Sequence, residues 1–248
     1  MGSQTGIRGG GQERDDFVRA VLRAYREGIF PMAARGRRAG VAWYEADPRG
    51  VIRLDEGGGW RLPRRLERTV RAGRFRVTSD AAFGRVIRAC ADPRRPGGWI
   101  NGQIVSLFES LHAAGLAHSV EAWRATSEAT RAAGGRIPPG DEGLVGRDGA
   151  AVLVGGLYGL CVGGVFCAES MFSRPDLGGR DASKVCLAQL IGHLRERGFG
   201  LIDTQMWSEH LAQFGCEEVG REEYREMLLR LRDRECSWGS LESPGEEG

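Results

Sequence analysis

Apolar residues recur at helical spacing over residues 16–27, where Phe17, Val18, Val21, Leu22 and Tyr25 would line one face and Gly28 would end the helix. The stretch 62–72 repeats the pattern, with Leu62, Leu66 and Val70 inward. Helices are also predicted over 81–90, 104–114, 183–197, 209–214 and 221–233; in 183–197 the apolar set is Val185, Leu187, Leu190, Ile191 and Leu194, and Gly198 stops it. The period shortens to two, or gives way to unbroken apolar runs, at 119–124, 151–160, 165–171 and 200–205, which read as strands. Gly163-Gly164 supplies a hairpin turn between the second and third of these. The segment VAWYEADPRGVI predicts short strands around an Asp47-Pro48 turn, and Arg76-Val77-Thr78 opens a second unit. Strands and helices alternating in this way predict an α/β (α+β) chain around one mixed sheet.

Polar, glycine-rich ends at 1–14 and 239–248 read as frayed tails, 15–75 as a small N-terminal lobe and 76–238 as the main domain. Residues 126–149, with Gly-Gly, Pro-Pro and Gly-Asp pairs, read as an inserted flexible loop. The 248-residue length allows a substantial core, and the net charge of only +2 excludes a globally basic nucleic-acid binder. Local patches remain open. Arg64, Arg68 and Arg71 share one helix face, with Arg61, Arg65, Arg74 and Arg76 nearby, which makes 61–76 the best candidate for phosphate contact. Six scattered cysteines without a C-x-x-C pair argue against a zinc site or a disulfide framework. With no recognisable leader and no apolar run of membrane-spanning length, the expectation is a cytoplasmic protein that does not enter a membrane.

The run 153–173 is apolar and glycine-rich apart from Glu169, a carboxylate that needs a partner, neutralisation or a role in a site. Lys184 and an arginine are both possible partners for it. Lys184 is the single lysine among 35 basic residues, and ammonium and guanidinium are not interchangeable at a tight site. In Leu201-Ile202-Asp203-Thr204-Gln205, strand alternation would put Asp203 and Gln205 on one face, where they could orient and polarise a nucleophile or simply leave a core strand. His112, His118, His193 and His210 share no ligand spacing and read as structural or surface residues, and Ser170 has no obvious histidine partner, which disfavours a serine hydrolase.

The pieces YREGIFPM, WYEADPRGVI, FRVTSDAAFGRVIRACA, WI, HAAGLAHSVEAW, LVGGLYG, FCAESMFSR, ASK, LIDTQ and HLAQFG, in this order, resemble the bacterial leucyl/phenylalanyl-tRNA–protein transferases over most of 25–224. The resemblance implies a small N-terminal lobe and an acetyltransferase-like (GNAT) domain with helices on both faces of its sheet. It implies transfer of Leu or Phe from aminoacyl-tRNA to the N-terminal Arg or Lys of acceptor proteins, marking them for proteolysis. A protease adaptor would then act downstream and indirectly. An aminoacyl ester is already activated, so no cofactor is expected. An α-amine with a pKa of about 7.7–8.0 needs only a hydrogen-bond acceptor, and positioning alone can supply about 7–11 kcal/mol of the barrier.

By the same resemblance, Asp203 and Gln205 match the catalytic pair and Glu169 the group that holds the cationic acceptor residue. Leu157, Met171 and Leu190 match an apolar pocket for the transferred side chain, which would also admit Met because one methylene discriminates by only about 1–3 kcal/mol. Ser183 and Lys184 fall in the ASK motif beside this substrate site. Trp99 matches a tryptophan that stacks on the terminal adenosine, and Arg64, Arg68 and Arg71 would follow the acceptor-stem phosphates. Met32 stands after Phe30-Pro31 where many members have tryptophan, and 126–149 and 175–181 are longer than usual. An acyl-CoA-dependent N-acetyltransferase would need R/Q-x-x-G-x-G/A between a strand and its helix; the sole match, Arg37-Arg38-Ala39-Gly40-Val41-Ala42, lies in the N-terminal lobe. A non-catalytic tRNA-binding module is the other alternative.

Overall fold

The structure, a computed structural model, describes residues 9–34, 40–55, 58–95 and 98–241, with backbone alone for 9–15. Helix α1 (Gly9–Arg26) starts earlier than the apolar pattern does, so part of the stretch read as a tail is helical. Val21 and Tyr25 are its buried anchors, whereas Phe17 stays half exposed. Gly28, at φ +81°, turns the chain out of the helix in a conformation that favours glycine. Strands β1 (Phe30–Ala33) and β2 (Val41–Tyr44) then pair as a separate antiparallel ribbon.

The main sheet has seven strands in the order β4 (Arg76–Ser79), β5 (Ala117–Ala125), β6 (Ala151–Val162), β7 (Val165–Ser173), β8 (Leu201–Gln205), β3 (Arg49–Arg53) and β9 (Glu217–Val219). Every neighbouring pair is antiparallel except β7 and β8. Strand β3 comes from the early part of the chain, yet it lies between β8 and β9. The β6–β7 hairpin closes through Gly163-Gly164 as the sequence predicts, with Val162 opposite Val165.

Helices α2 (Arg64–Arg71), α3 (Phe83–Cys90), α4 (Gly102–Ala113), α5 (Thr126–Ala132), α6 (Ala182–Glu196), α7 (Glu209–Ala212) and α8 (Arg221–Leu231) flank the sheet. A Cβ at Gly155 would lie 2.5 Å from Ala182 of α6, and one at Gly156 would lie 3.1 Å from Val86 of α3. Successive strand residues point to opposite faces, so α6 and α3 cover opposite sides of β6. Glycine at these positions lets both helices sit close. The predicted apolar face of α6 is buried throughout.

Residues 126–149 are not a flexible loop. Helix α5, a 3₁₀ turn at Glu142–Leu144 and a bridge from Val145 to Val152 order them. The nearly inaccessible Asp141 carboxylate clamps the segment by pairing with Arg94 and Arg174. Ion pairs between distant residues leave no periodic trace, which is why composition alone suggests a loop here. Residues 175–181 are likewise ordered by a 3₁₀ turn at Pro175–Leu177 that buries Leu177. At the other end Leu241 N donates to Ser79 Oγ at 2.9 Å, so the chain is packed through Leu241, beyond the predicted 239 boundary; 242–248 lie outside the described residues.

Candidate active site

Strands β7 and β8 run side by side for three rungs, Val165–Leu201, Phe166–Ile202 and Cys167–Asp203, and then part. Each carries an extra residue at that point. The register passes from Gly159–Ala168 to Tyr158–Ser170, leaving Glu169 unpaired, and from Val51–Asp203 to Gly50–Gln205, leaving Thr204 unpaired. Such bulges end pairing and re-aim side chains, and a gap between parting parallel strands is where α/β sheets bind ligands. Two sequence-predicted residues, Glu169 and Gln205, therefore stand at the mouth of one gap.

Asp203 is wholly buried, and its carboxylate is saturated. Arg49 Nε donates to Oδ1 at 2.8 Å and Arg49 Nη2 to Oδ2 at 2.7 Å. Tyr224 Oη donates to Oδ2 at 2.8 Å, and the Gln205 backbone N donates to Oδ1 at 2.9 Å. Two bonds on each oxygen fill the roughly four lone-pair positions of an ionised carboxylate. Asp203 thus has no position left to take a proton from a substrate, and its action is to hold other groups in place. Arg49 also donates to Gly28 O at 2.9 Å, and its guanidinium lies 4.8 Å from the Phe30 ring centre and 4.5 Å from that of Tyr224. Burial opposes the Arg49 charge, but the adjoining Asp203 outweighs it and keeps the guanidinium protonated. Burial, with the Asp203 charge second, pushes the Tyr224 hydroxyl and the Cys167 thiol well up, so both stay neutral.

Gln205 adopts φ +58°, a left-handed conformation that is uncommon for residues other than glycine. This turn, rather than simple strand alternation, is what brings its backbone onto Asp203. With its side-chain amide oriented to match its neighbours, Nε2 donates to Ala168 O at 2.9 Å and Thr204 O at 3.0 Å. That leaves Oε1 as an acceptor. Opposite it, Gly50 has no room for a side chain, since a Cβ would lie 2.5 Å from the Met206 carbonyl carbon. Met206 and Trp207 follow as exposed apolar residues.

Glu169 Oε1 accepts from Tyr25 Oη at 2.8 Å. Enclosure by protein pushes the Glu169 carboxyl up to about 8; the Asp203 charge adds to the rise, while the Tyr25 bond and Arg49 oppose it. Lys184 is not its partner. The lysine lies 3.5 Å from Asp181 and shares a cavity of about 320 Å³ with Arg65 and Arg180, where α2 meets the start of α6. Ser183 N and Oγ both meet Ser173 Oγ at 2.9 Å, tying α6 to the end of β7.

Leu157 and Met171 are cross-strand partners next to the Glu169 bulge, and α6, which carries Leu190, packs on both strands. Leu157 and Leu190 are buried, whereas Met171 is partly open. Ala33 N donates to Trp99 O at 3.0 Å, so Trp99 and Met32 stand on neighbouring strips of chain. Arg64, Arg68 and Arg71 are exposed on α2, with Arg71 paired to Glu67. The histidines hold structural contacts, such as His118 with Asp80 and His193 with Trp238 O. Residues 37–39 of the Arg37–Ala42 acetyltransferase-type match lie outside the described residues.

Sequence reasoning missed Arg49, Tyr25 and Tyr224. Arg49 was findable: an arginine at the entry of the apolar run Gly50-Val51-Ile52 needs a counter-charge for the same reason as Glu169. The tyrosines gave no such signal, because tyrosine is common in apolar faces.

Two family models match. One, described as leucyl/phenylalanyl-tRNA protein transferase, matches residues 51–136 and 148–229; the other, its N-terminal domain, matches 18–47. Among curated proteins, the leucyl/phenylalanyl-tRNA–protein transferase of Paramagnetospirillum magneticum is 41% identical over 210 residues, covering 84% of this chain and 85% of that protein. Its namesake in Gloeobacter violaceus is 42% identical over 208 residues, covering 84% and 90%. That in Rhizorhabdus wittichii is 42% identical over 210 residues, covering 84% and 72%.

Proposed function

Because the chain belongs to the leucyl/phenylalanyl-tRNA protein transferase family and is an aminoacyltransferase, we propose that it moves Leu or Phe from aminoacyl-tRNA to the N-terminal Arg or Lys of an acceptor protein. The observation that carries this reading is Gln205, held in a left-handed turn at the parting of β7 and β8, with Oε1 accepting no hydrogen bond among the described residues. The acceptor α-amine donates a hydrogen bond to that oxygen, which aims its lone pair at the ester carbonyl. The new C–N bond forms, the bond from carbonyl carbon to the ribose oxygen breaks, and the proton leaving nitrogen passes to that oxygen. Asp203, itself fixed by Arg49 and Tyr224, keeps Gln205 in place through the bond from its backbone N.

Glu169 receives the cationic side chain of the acceptor. It is neutral at rest near pH 7 and ionises when an ammonium or guanidinium arrives, since an opposite charge favours the carboxylate. Leu157, Met171 and Leu190 take the transferred side chain. Met32 and Trp99 flank the terminal adenosine, and the α2 arginines, with Lys184 beside them, follow the acceptor stem. The division into a small lobe and an acetyltransferase-like catalytic domain, the cytoplasmic location and a downstream protease adaptor belong to the same proposal. The test mixes the purified protein, leucyl-tRNA and a peptide beginning with Arg, without nucleotide or acyl-CoA. A peptide extended by one leucine is expected; no extension from a folded sample with several charged tRNAs would refute the proposal.

A further inference from the structure

A cavity of about 670 Å³ lies outside the residues assigned so far, between α3, the turn at 92–95, residues 140–144 and the end of β7. Ala89, Pro93, Leu144 and Phe172 give it an apolar part of its lining, and Arg85, Arg88, Arg94, Arg95 and Arg174 a charged part. Five guanidinium groups face two lining carboxylates, Asp92 and Asp141; Arg88 and Arg174 also pair with Glu109 and Asp176 just outside the lining, which leaves one positive charge in excess. Arg85 and Arg95 spend their hydrogen bonds on carbonyls alone, Arg85 on Val145 O at 2.7 Å and Arg95 on Cys90 O at 2.7 Å and Met171 O at 2.6 Å. Neither charge meets a carboxylate among the described residues.

One wall lies outside the stretches that match the family model. Residues 137–147 fall between the two stretches that match the family, and they are held there by Asp141 and by the Arg85–Val145 bond. The place is also informative. Arg95 grips the backbone of Met171, which flanks the aminoacyl pocket, and Trp99 follows only four residues after Arg95. Four residues span at most about 14 Å. Guanidinium groups and apolar side chains lining one cavity suit a phosphate joined to a flat ring, by bidentate bonds to the one and packing against the other.

We propose that this cavity binds a phosphorylated nucleotide of the aminoacyl-tRNA's single-stranded 3′ end, next in the strand to the adenosine carried on Trp99. The inference rests on the function proposed above, and its test needs no transfer. The full chain is titrated with the 5′-phosphorylated trinucleotide CCA, with cytidine monophosphate and with adenosine, using tryptophan fluorescence or calorimetry. Arg85→Gln/Arg88→Gln should weaken the trinucleotide at least fivefold and leave adenosine unchanged. Its salt slope should fall by up to about 1.4, given about 0.7 per single-strand phosphate contact. Ala89→Glu, which breaks no ion pair and places a carboxylate in the cavity, should weaken it similarly.

Trinucleotide binding that both variants leave intact but Trp99→Ala removes would overturn this inference and spare the functional one. Cytidine monophosphate seated there while the trinucleotide is excluded would assign the cavity to a free nucleotide and overturn it too. Failure of peptide extension with these binding results intact would instead refute the functional reading.

Discussion

Replacing Arg49 by methionine is the most informative single perturbation of this site. The Arg49 and Asp203 side chains are 1% and 0% exposed, so removing the guanidinium strands a carboxylate where water cannot reach it. Breaking a buried pair from one side costs about 3–5 kcal/mol. Tyr224 and the Gln205 N–H keep two of the four bonds to Asp203, which favours the lower part of that range. The Gly28 carbonyl also loses a donor, and the Phe30 and Tyr224 rings lose a cation, which favours the upper part. About 3–5 kcal/mol is a large fraction of the stability of an ordinary domain. Urea unfolding at pH 7, followed by circular dichroism, should show a lower midpoint with an unchanged slope. Arg49→Met/Asp203→Leu should recover at least about 2 kcal/mol of the loss, because an apolar pair leaves no stranded charge. A single-variant cost below about 1 kcal/mol, or a double variant less stable than the single, would refute the idea that Arg49 exists to hold a buried Asp203 charge.

Other outcomes follow from the same geometry. Glu169 has a folded pKa of about 8 against an unfolded value near 4.3, so the folded state holds the extra proton between them and stability falls as pH rises through that window. Glu169→Gln should flatten this pH dependence between about 4.3 and 8 in thermal melts; an unchanged slope would contradict the assignment. Substituting Arg64, Arg68 and Arg71 together by glutamine should weaken tRNA binding and lower its salt slope, whereas a salt-independent loss would point to misfolding. Met32→Trp should tighten adenosine binding by about 1–3 kcal/mol if position 32 flanks the base, and Trp99→Ala should weaken it by a similar amount.

Much of the fold was legible because it is built on periodic patterns. The α6 face, the β6–β7 hairpin and the β8 strand follow directly from apolar spacing. Glu169 and Asp203-Gln205 stood out as polar groups in apolar strands, which made them candidates, and the resemblance supplied the roles proposed for them. The rest depended on contacts between distant residues. Nothing in the local pattern of 126–149 shows that Asp141 meets Arg94 and Arg174. The insertion of β3 between β8 and β9, which delivers Arg49 to Asp203, is a long-range pairing that spacing cannot reveal. The left-handed turn at Gln205 was likewise hidden, because strand alternation predicted the right proximity for the wrong reason.

The central claim is that aminoacyl transfer takes place where β7 and β8 part, on Gln205. Its most direct test is the single-turnover rate of leucyl transfer to an Arg-peptide by Gln205→Ala, measured beside its affinity for leucyl-tRNA. The account predicts a rate lower by about 10² or more, the scale of losing a group that positions the reacting amine, with affinity within twofold of the native protein. A rate close to native, or a loss accounted for entirely by weaker tRNA binding, would contradict it.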